Sequence, residues 1–286
     1  MDVKTYTKAA DFLSAAYNIL QSDEARYGLI YGIARRVEVN PYHYGNENPW
    51  FCIVNDKDGI STLAWRTPPY QLGLAWYTGN AEEAVSLLIK AVRKRWKEIP
   101  GVVGHREVTD SFAERWSYTY GVPIESTMAQ RIYRLDSVND VPFTSGRMRL
   151  ATLADKDLAT SWVRAFSIDI GEYDRNPPNE DITPRIEMGE IYLWEDNGKP
   201  VSMVGKARST EHGITIGPVY TPLELRRHGY ATACVAHVCG ELLKSGYEFC
   251  TLYTDLSNPT SNSIYMKVGF KPVCDSVQYG FSVPNR

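Results

Sequence analysis

One stretch constrains the fold more than any other, because a short apolar run passes directly into the pattern of an amphipathic helix. It covers residues 217–243 and reads GPVYTPLELRRHGYATACVAHVCGELL. The apolar run predicts a strand, and the spacing of Val235, Val238 and Leu242 predicts a helix with one inward face. A strand that feeds a helix leaves the first helical N–H groups unpaired, and the helix dipole adds partial positive charge there. The stretch therefore predicts an anion site at the mouth of a helix.

The residues at this helix mouth indicate which anion would bind. Gly229 and the small Ala231 leave the backbone amides accessible, and Arg226 and Arg227 would add charge-assisted contacts. A P-loop would need a Gly-Lys-Ser/Thr ending and a dinucleotide-binding turn would need three glycines, and the stretch has neither. We interpret it as a cradle for a pyrophosphate of another kind.

Around this cradle, strand and helix signals alternate. From residue 147 onward they predict the order β, α, α, β, β, β, α, β, α, β, in which the final element is a closing strand pair at 270–281. Asn197 and Gly198 predict the turn of a hairpin, because an Asn-Gly pair readily adopts the positive φ of a tight turn. Gly246 is the expected C-cap of the helix that follows the cradle.

The first half of the chain is predicted to be mixed α and β. It opens with two helices, continues with strands separated by turn residues, and includes a helix capped by Asn80. Residues 98–121 are interpreted as a loop and a helix, and 127–138 as a strand. The segment 137–146, SVNDVPFTSG, has the composition of a linker.

Together these signals predict two α/β domains. The linker divides the chain into an N-terminal domain at 1–140 and a second domain at 147–286.

Composition excludes several classes of protein. The chain has 31 Lys and Arg against 34 Asp and Glu, so broad electrostatic capture of nucleic acid is not expected. Its five cysteines include no CxxC pair, which argues against a disulfide framework and against a zinc knuckle, and no metal is expected. We see no long apolar segment of the kind that signals export or a membrane span, and we expect a soluble, cytoplasmic protein that does not bind membranes.

Two motifs carry a resemblance to a known family. The pattern Arg-x-x-Gly-x-Ala, at Arg226, Gly229 and Ala231, resembles the acyl-coenzyme A signature of the GNAT superfamily of N-acetyltransferases. The later stretch LYTDLSNPTSNSIYMKVGF resembles the other half of the GNAT pattern, with Asn258 after a strand and Tyr265 seven residues further on. Segments such as RTPPY, IPGVVGHREV and PVCDSVQYGF are similar to a bacterial group of predicted acetyltransferases with an extra N-terminal region.

The resemblance implies a fold class. It is α/β (α+β), with a mixed central sheet flanked by helices, in the manner of GNAT acyl-CoA acyltransferases. A smaller α/β domain precedes it, which we interpret as a degenerate domain of similar kind because it lacks an RxxGxA pattern of its own.

The resemblance also implies a role for particular residues. The backbone at Val219 and Thr221 would pair with the pantetheine arm of acetyl-CoA, and Asn258 would bond the same arm. Backbone N–H groups near Val219 and Tyr220 would stabilise the oxyanion, and Tyr265 would protonate the departing thiolate. The pyrophosphate would be held by the residues of the cradle, which are Arg226, Arg227, His228, Gly229, Tyr230, Ala231 and Thr232.

The sequence leaves several alternatives open. The general base could be Asp169, Glu172, Asp174 or Asp255, or a water chain that leads to a backbone carbonyl. The implied reaction is transfer of an acetyl group from acetyl-CoA to a primary amine of a small molecule or peptide. A non-catalytic acyl-CoA-binding or sensing module is the alternative, and the oligomeric state is open, with a homodimer among the possibilities.

Overall fold

The chain folds into two compact units. The computed structural model describes residues 1–171 and 181–282. The first unit comprises Met1–Ile132 together with Val273–Arg286, and the second unit is Tyr133–Pro272. Of the helices in the described ranges, none is long and apolar enough to cross a bilayer.

The division between the units differs from the one expected from the sequence. The sequence predicts domains at 1–140 and 147–286, which assigns the end of the chain to the second domain. In the structure this end belongs to the first unit, because β12 (Lys271–Phe281) pairs antiparallel with β5 (Gly101–His105). The expected pair of closing strands at 270–281 is one strand, β12.

The first unit has a sheet with helices on both faces. Its sheet runs in the order β1, β2, β3, β4, β5, β12, and β4 and β5 are parallel whereas their neighbours are antiparallel. Its elements in chain order are β1 (Asp2–Tyr6), α1 (Ala9–Ser22), α2 (Gly28–Val39), β2 (Trp50–Asp56), β3 (Gly59–Arg66), β4 (Leu72–Trp76), α3 (Ala81–Arg95), β5, α4 (Arg106–Tyr120) and β6 (Ile124–Leu135).

Strand β2 shows why this unit has two apolar layers. Its side chains alternate between the sheet faces, as the period of a strand requires. Phe51 and Ile53 pack with the core that α1 and α2 cover, whereas Trp50, Cys52 and Val54 pack with the core that α3 and α4 cover. Both faces are therefore buried, and the strand reads as a continuous apolar run.

Two strands of the first unit were not predicted. β1 precedes the two expected helices, and only two of its five residues, Val3 and Tyr6, are apolar. β5 was interpreted as a loop because Gly101 and Gly104 are poor strand formers. At Gly104 a Cβ atom would lie 1.8 Å from the Leu74 carbonyl oxygen, so the close approach of β4 excludes any larger residue.

The second unit is built in the order that the sequence predicts, and its β, α, α, β, β, β, α, β, α, β succession is confirmed. Its sheet runs β7, β8, β9, β10, β11, and β10 and β11 form the parallel pair. Its elements are β7 (Arg147–Leu150), α5 (Lys156–Asp169), α6 (Thr183–Glu187), β8 (Ile191–Asp196), β9 (Lys199–Ser209), β10 (Gly213–Tyr220), α7 (Tyr230–Lys244), β11 (Phe249–Asp255), α8 (Pro259–Val268) and the start of β12.

Helices cover both faces of this second sheet. Helices α7 and α8 share a core with Trp194, Ile214 and Leu252, and helices α5 and α6 share another with Leu193 and Met203. The first unit repeats the same order of elements from β1 to β6, which agrees with its interpretation as a domain of similar kind.

Candidate functional site

The parallel strands β10 and β11 are in register over only part of their length. Their pairing extends from Gly213 opposite Phe249 to Thr215 opposite Thr251. The two threonine hydroxyls, both buried, lie 3.0 Å apart and form a hydrogen bond at this last pair. Both strands then continue past it, β10 to Tyr220 and β11 to Asp255. The second sheet thus has an opening on the far side of these threonines.

The pairing of β10 with β9 is irregular near the opening. Its register with β9 shifts between Ile214 and Ile216 and again between Ile216 and Val219, which marks irregular pairing at the start of the opening. Gly217 lies within the second shift with φ of 144°, a value that residues with a side chain rarely adopt. The next residue, Pro218, has no N–H to donate, so it is excluded as an oxyanion donor.

The backbone direction in β10 distinguishes the predicted binding residues. Tyr220 pairs with Met203 of β9, and its carbonyl accepts a hydrogen bond from the Ser202 hydroxyl at 3.2 Å. Val219 likewise lies opposite Val204 of β9. Because peptide groups alternate along a strand, the carbonyls of Val219 and Thr221 point away from the side on which the Tyr220 carbonyl meets Ser202. The Thr221 carbonyl accepts a bond from Arg226 Nε at 3.0 Å, so Val219 is the residue whose peptide groups best suit a ligand.

The mouth of α7 lies just beyond the end of β10. The helix begins at Tyr230, and its first helical hydrogen bond joins the N–H of Ala233 to the carbonyl of Gly229 at 3.0 Å. The N–H groups of Tyr230, Ala231 and Thr232 precede that bond, so helix geometry gives them no acceptor within the helix. With the helix dipole they form a set of donors suited to an anion.

Gly229 is required at this mouth for its backbone and for a close contact. Its φ is 84°, in the left-handed region, and it is the N-cap of α7. A Cβ atom built on it would lie 2.7 Å from Oγ1 of Thr144, a residue of the linker segment. The sequence interpretation, which gave Gly229 the role of leaving room for phosphate, did not foresee this contact.

Arg226 has partners other than a predicted anion. Its guanidinium forms an ion pair with Asp169 at the end of α5, and its Nε donates to the Thr221 carbonyl. These bonds connect α5, the end of β10 and the loop that leads to α7. We therefore assign Arg226 to positioning the cradle. Arg227, exposed and with φ of 71°, lies between Arg226 and the helix.

His228 and Tyr230 contact the loop that leads to α7. The Nδ1 atom of His228 lies 3.0 Å from the Arg226 carbonyl oxygen, and its ring stacks on Tyr230 with centroids 5.6 Å apart. The Tyr230 hydroxyl donates to Asp196 at 2.7 Å, and this hydrogen bond raises the pKa of Tyr230. Both side chains thus stabilise the path of the loop.

Tyr265 lies on α8, within the core shared with α7. It is 8% exposed and meets Phe270 edge to face, with ring centroids 5.9 Å apart. Burial raises the pKa of its phenol above the ordinary value, so the hydroxyl stays protonated at neutral pH. A protonated phenol can donate a hydrogen bond to a sulfur atom.

The predicted pantetheine contact, Asn258, is the N-cap of α8. Its side-chain oxygen accepts from the N–H of Ser261 at 3.0 Å. The sequence reasoning missed Asn262, which is 9% exposed. Its Nδ2 donates to the Asn258 carbonyl at 2.7 Å, and its Oδ1 accepts from the Tyr133 hydroxyl at 3.1 Å. The signal in the sequence was that Asn262 is a polar residue one helical turn after the cap Asn258.

Two of the four candidate bases, Asp169 and Asp255, lie within the described residues, and both have hydrogen-bond partners. Asp169 is engaged by Arg226, and Asp255 accepts from both the N–H and the hydroxyl of Ser257, at 2.8 Å and 2.6 Å. Glu172 and Asp174 lie outside the described residues.

In the first unit, a histidine side chain lies at the end of the parallel strand pair that corresponds to β10 and β11. Strands β4 and β5 are parallel up to Leu74 opposite Gly104. Beyond that pair the His105 ring, 3% exposed, lies against β4, where its Nδ1 accepts from the Trp76 N–H at 3.2 Å. Its Nε2 donates to the Arg26 carbonyl at 3.0 Å, and burial lowers the pKa of His105, so the ring is neutral.

Comparison with known proteins relates the second unit to a family. Residues 157–270 match the model of the acetyltransferase (GNAT) family. That range contains the opening of β10 and β11, the mouth of α7 and the predicted binding residues. No curated protein matches the chain significantly in sequence.

Solved structures agree in fold over the whole chain. A GCN5-related N-acetyltransferase from Sphaerobacter thermophilus is 16% identical to this chain, with a TM-score of 0.62. The match covers 97% of this chain and 94% of that one. A GNAT-family acetyltransferase from Colwellia psychrerythraea is 11% identical with a TM-score of 0.55, covering 99% and 100%. A tandem GNAT protein from the clavulanic acid biosynthesis pathway is 10% identical with a TM-score of 0.54, covering 100% of both chains. Residues 157–270 of this chain therefore match the GNAT family of acetyltransferases, the whole chain shares its fold with these solved structures, and a further α/β domain precedes the matched region.

Proposed function

We propose that this protein is an N-acyltransferase that transfers the acetyl group of acetyl-CoA to a primary amine. The match of residues 157–270 to the acetyltransferase (GNAT) family model supports acyl transfer in general. The observation that carries the finer proposal is the parting of β10 and β11 after Thr215 and Thr251, followed directly by the open mouth of α7. An extended thiol arm and a pyrophosphate fit these two neighbouring features.

The chain offers groups for each part of acetyl-CoA. The peptide groups of Val219 would pair with the pantetheine amides, as a missing strand would. The N–H groups of Tyr230, Ala231 and Thr232 would hold the pyrophosphate, in the electrostatic field of the helix mouth. Gly229 gives the loop its left-handed turn, which residues with a side chain adopt only at a cost.

The reaction forms one bond and breaks another. The amine nitrogen attacks the thioester carbonyl carbon, and the C–S bond then breaks as the thiolate leaves. The Val219 N–H is our candidate for stabilising the oxyanion, because the Tyr220 carbonyl accepts from Ser202 of β9 and peptide groups alternate along a strand. The Tyr265 hydroxyl would donate its proton to the departing sulfur.

The acceptor amine must lose its proton. A lysine-like amine with a pKa of about 10.4 is only about one part in 10³ neutral at pH 7. Because the side-chain oxygens of Asp169 and Asp255 are engaged by other groups, we propose that a water chain to a backbone carbonyl takes the proton. Trp162 and Tyr220, with ring centroids 6.0 Å apart, are our candidates for a wall of the acceptor site. The acceptor would be a small molecule or a peptide.

A non-catalytic acyl-CoA-binding module is the second candidate. The engagement of Asp169 and Asp255 favours it, since neither described carboxylate is poised as a base. It would bind acetyl-CoA at the same opening without turnover.

The two candidates are separated by measuring thiol release from acetyl-CoA in the presence of a panel of primary amines. An acyltransferase releases thiol in proportion to the amine it acetylates, and mass spectrometry of the amine shows the added acetyl group. Binding of acetyl-CoA without amine-dependent thiol release would favour the binding module. A reaction without amine serves as the control for hydrolysis.

A further inference from the structure

The linker segment passes over the mouth of α7 in the second unit. Thr144 is half-buried there, with its Oγ1 at 2.7 Å from the position of a Cβ atom on Gly229. A residue next to Thr144 in the chain has its Cα about 3.8 Å away, so it also lies beside the cradle. That residue is Phe143, and its side chain is 96% exposed.

The segment is held on both sides of Phe143. Before it, the Asn139 N–H donates to the Val268 carbonyl at 2.9 Å, at the end of α8. After it, the Ser145 carbonyl accepts from Trp194 Nε1 at 2.8 Å. The chain is thus tied to the second unit at two points, and Phe143 projects between them.

A single exposed apolar side chain is ordinary on a protein surface. Backbone position distinguishes this one, because the residue that precedes Thr144 in the chain is within reach of a nucleoside attached to a phosphate at the cradle. In coenzyme A the adenosine is joined to the pyrophosphate through its ribose. A base has an aromatic face that stacks on such a ring.

We propose that Phe143 forms an adenine subsite, in which its ring stacks on the adenine of coenzyme A bound at the cradle. The subsite rests on the proposed function, since it needs coenzyme A at the mouth of α7. Thr144, which lies beside Gly229, places the backbone of Phe143 at the mouth of α7. Phe143 thereby selects a nucleotide-bearing thioester over a shorter pantetheine thioester.

The test compares ligands that contain or lack the adenine. Coenzyme A and adenosine 3′,5′-bisphosphate contain it, and 4′-phosphopantetheine does not. Calorimetric titration of each ligand into the wild type and Phe143→Ala is expected to show dissociation constants about fivefold or more higher for the two adenine ligands in the variant. The constant for 4′-phosphopantetheine should stay within about twofold, and Phe143→Trp should restore adenine binding.

The matched control is Tyr118→Ala, which removes an aromatic ring of 93% exposure from α4 in the first unit. It should leave all three constants unchanged. Equal weakening of 4′-phosphopantetheine and coenzyme A by Phe143→Ala would overturn the subsite, and so would unchanged binding of coenzyme A. If the folded wild type binds no coenzyme A at all, the proposed function fails together with the subsite.

Discussion

Arg226 and Asp169 form an ion pair that joins the loop before α7 to the end of α5. The sequence predicted Arg226 as a phosphate contact and gave Asp169 as a candidate base. In the structure the two side chains bind each other. Their side chains are 42% and 47% exposed, and such a pair contributes only about 0 to 1 kcal/mol to stability. We expect the ion pair to matter chiefly for position, because Arg226 also binds the Thr221 carbonyl and so fixes the loop against the end of β10.

Replacement of Asp169 tests that assignment. Asp169→Asn keeps the shape but weakens the ion pair, so we expect kcat/KM to fall by less than about tenfold, mostly through the KM for acetyl-CoA. Loss of a general base would instead lower kcat by about 10² to 10⁴. Steady-state kinetics at several pH values distinguish the two, and a drop of the larger kind in kcat would show that Asp169 is the base.

Tyr265→Phe tests the proposed proton donor. The variant keeps the ring that packs on Phe270 and removes only the hydroxyl. We expect turnover to fall by roughly 10²-fold, with the dissociation constant for acetyl-CoA little changed. Turnover within about threefold of the wild type would remove Tyr265 from this role.

The pH profile gives a second reading of Tyr265. Because burial raises its pKa, the phenol remains protonated until the pH exceeds its ordinary value of about 10. Ionisation of Tyr265 should therefore cause no loss of activity between pH 7 and 9. The wild type and Tyr265→Phe are expected to share the shape of their kcat profiles there, and a limb that disappears in the variant would contradict this assignment.

Gly229 and Gly246, at opposite ends of α7, form a matched pair. Both have positive φ, 84° and 111°, and an alanine at such an angle costs about 1 to 2 kcal/mol. A Cβ on Gly246 meets nothing within 4 Å, whereas one on Gly229 meets Thr144. Denaturant unfolding should therefore show a larger loss of stability for Gly229→Ala than for Gly246→Ala. Equal losses would mean that Thr144 moves aside freely.

His105 makes the stability of the first unit depend on pH. Its folded-state pKa is lowered by burial, whereas in the unfolded chain it is about 6.5. The unfolded chain therefore binds the proton more tightly, and stability from this group is complete above about pH 6.5 and is lost as the pH falls below it. Comparison of unfolding free energies at pH 7.5 and 5.5 should show a smaller decrease in His105→Gln than in the wild type.

The control for this comparison is His228→Gln, which changes an exposed imidazole. It should leave the wild-type decrease intact. A decrease in His105→Gln as large as that of the wild type would contradict the account.

Local signals of the fold were readable from the sequence. Asn197 and Gly198 adopt the positive φ values predicted for the hairpin of β8 and β9, 49° and 75°. The predicted cap Asn80 accepts from the N–H groups of Glu82 and Glu83. Each of these depends on neighbours within a few residues, which is the range over which turn and cap chemistry acts.

What the sequence could not show depends on distant partners. The pairing of β12 with β5 joins Ser276 to His105, and no local pattern in either strand specifies the other. The partners of Arg226 and the contact of Thr144 with Gly229 likewise arise only when separate segments meet. The motif therefore located the start of α7, whereas the contacts of the side chains around it required the structure.

Titration of acetyl-CoA into the wild type and Gly229→Glu tests the central claim most directly. The variant adds negative charge and bulk at the predicted pyrophosphate cradle, and Gly246→Glu is the control at the other end of α7. We expect one acetyl-CoA per chain in the wild type and the control, because His105 closes the corresponding strand pair of the first unit. Affinity should be at least about 100-fold lower in Gly229→Glu, a loss of roughly 2.7 kcal/mol. Equal binding by a folded Gly229→Glu, or none by the wild type, would contradict the account.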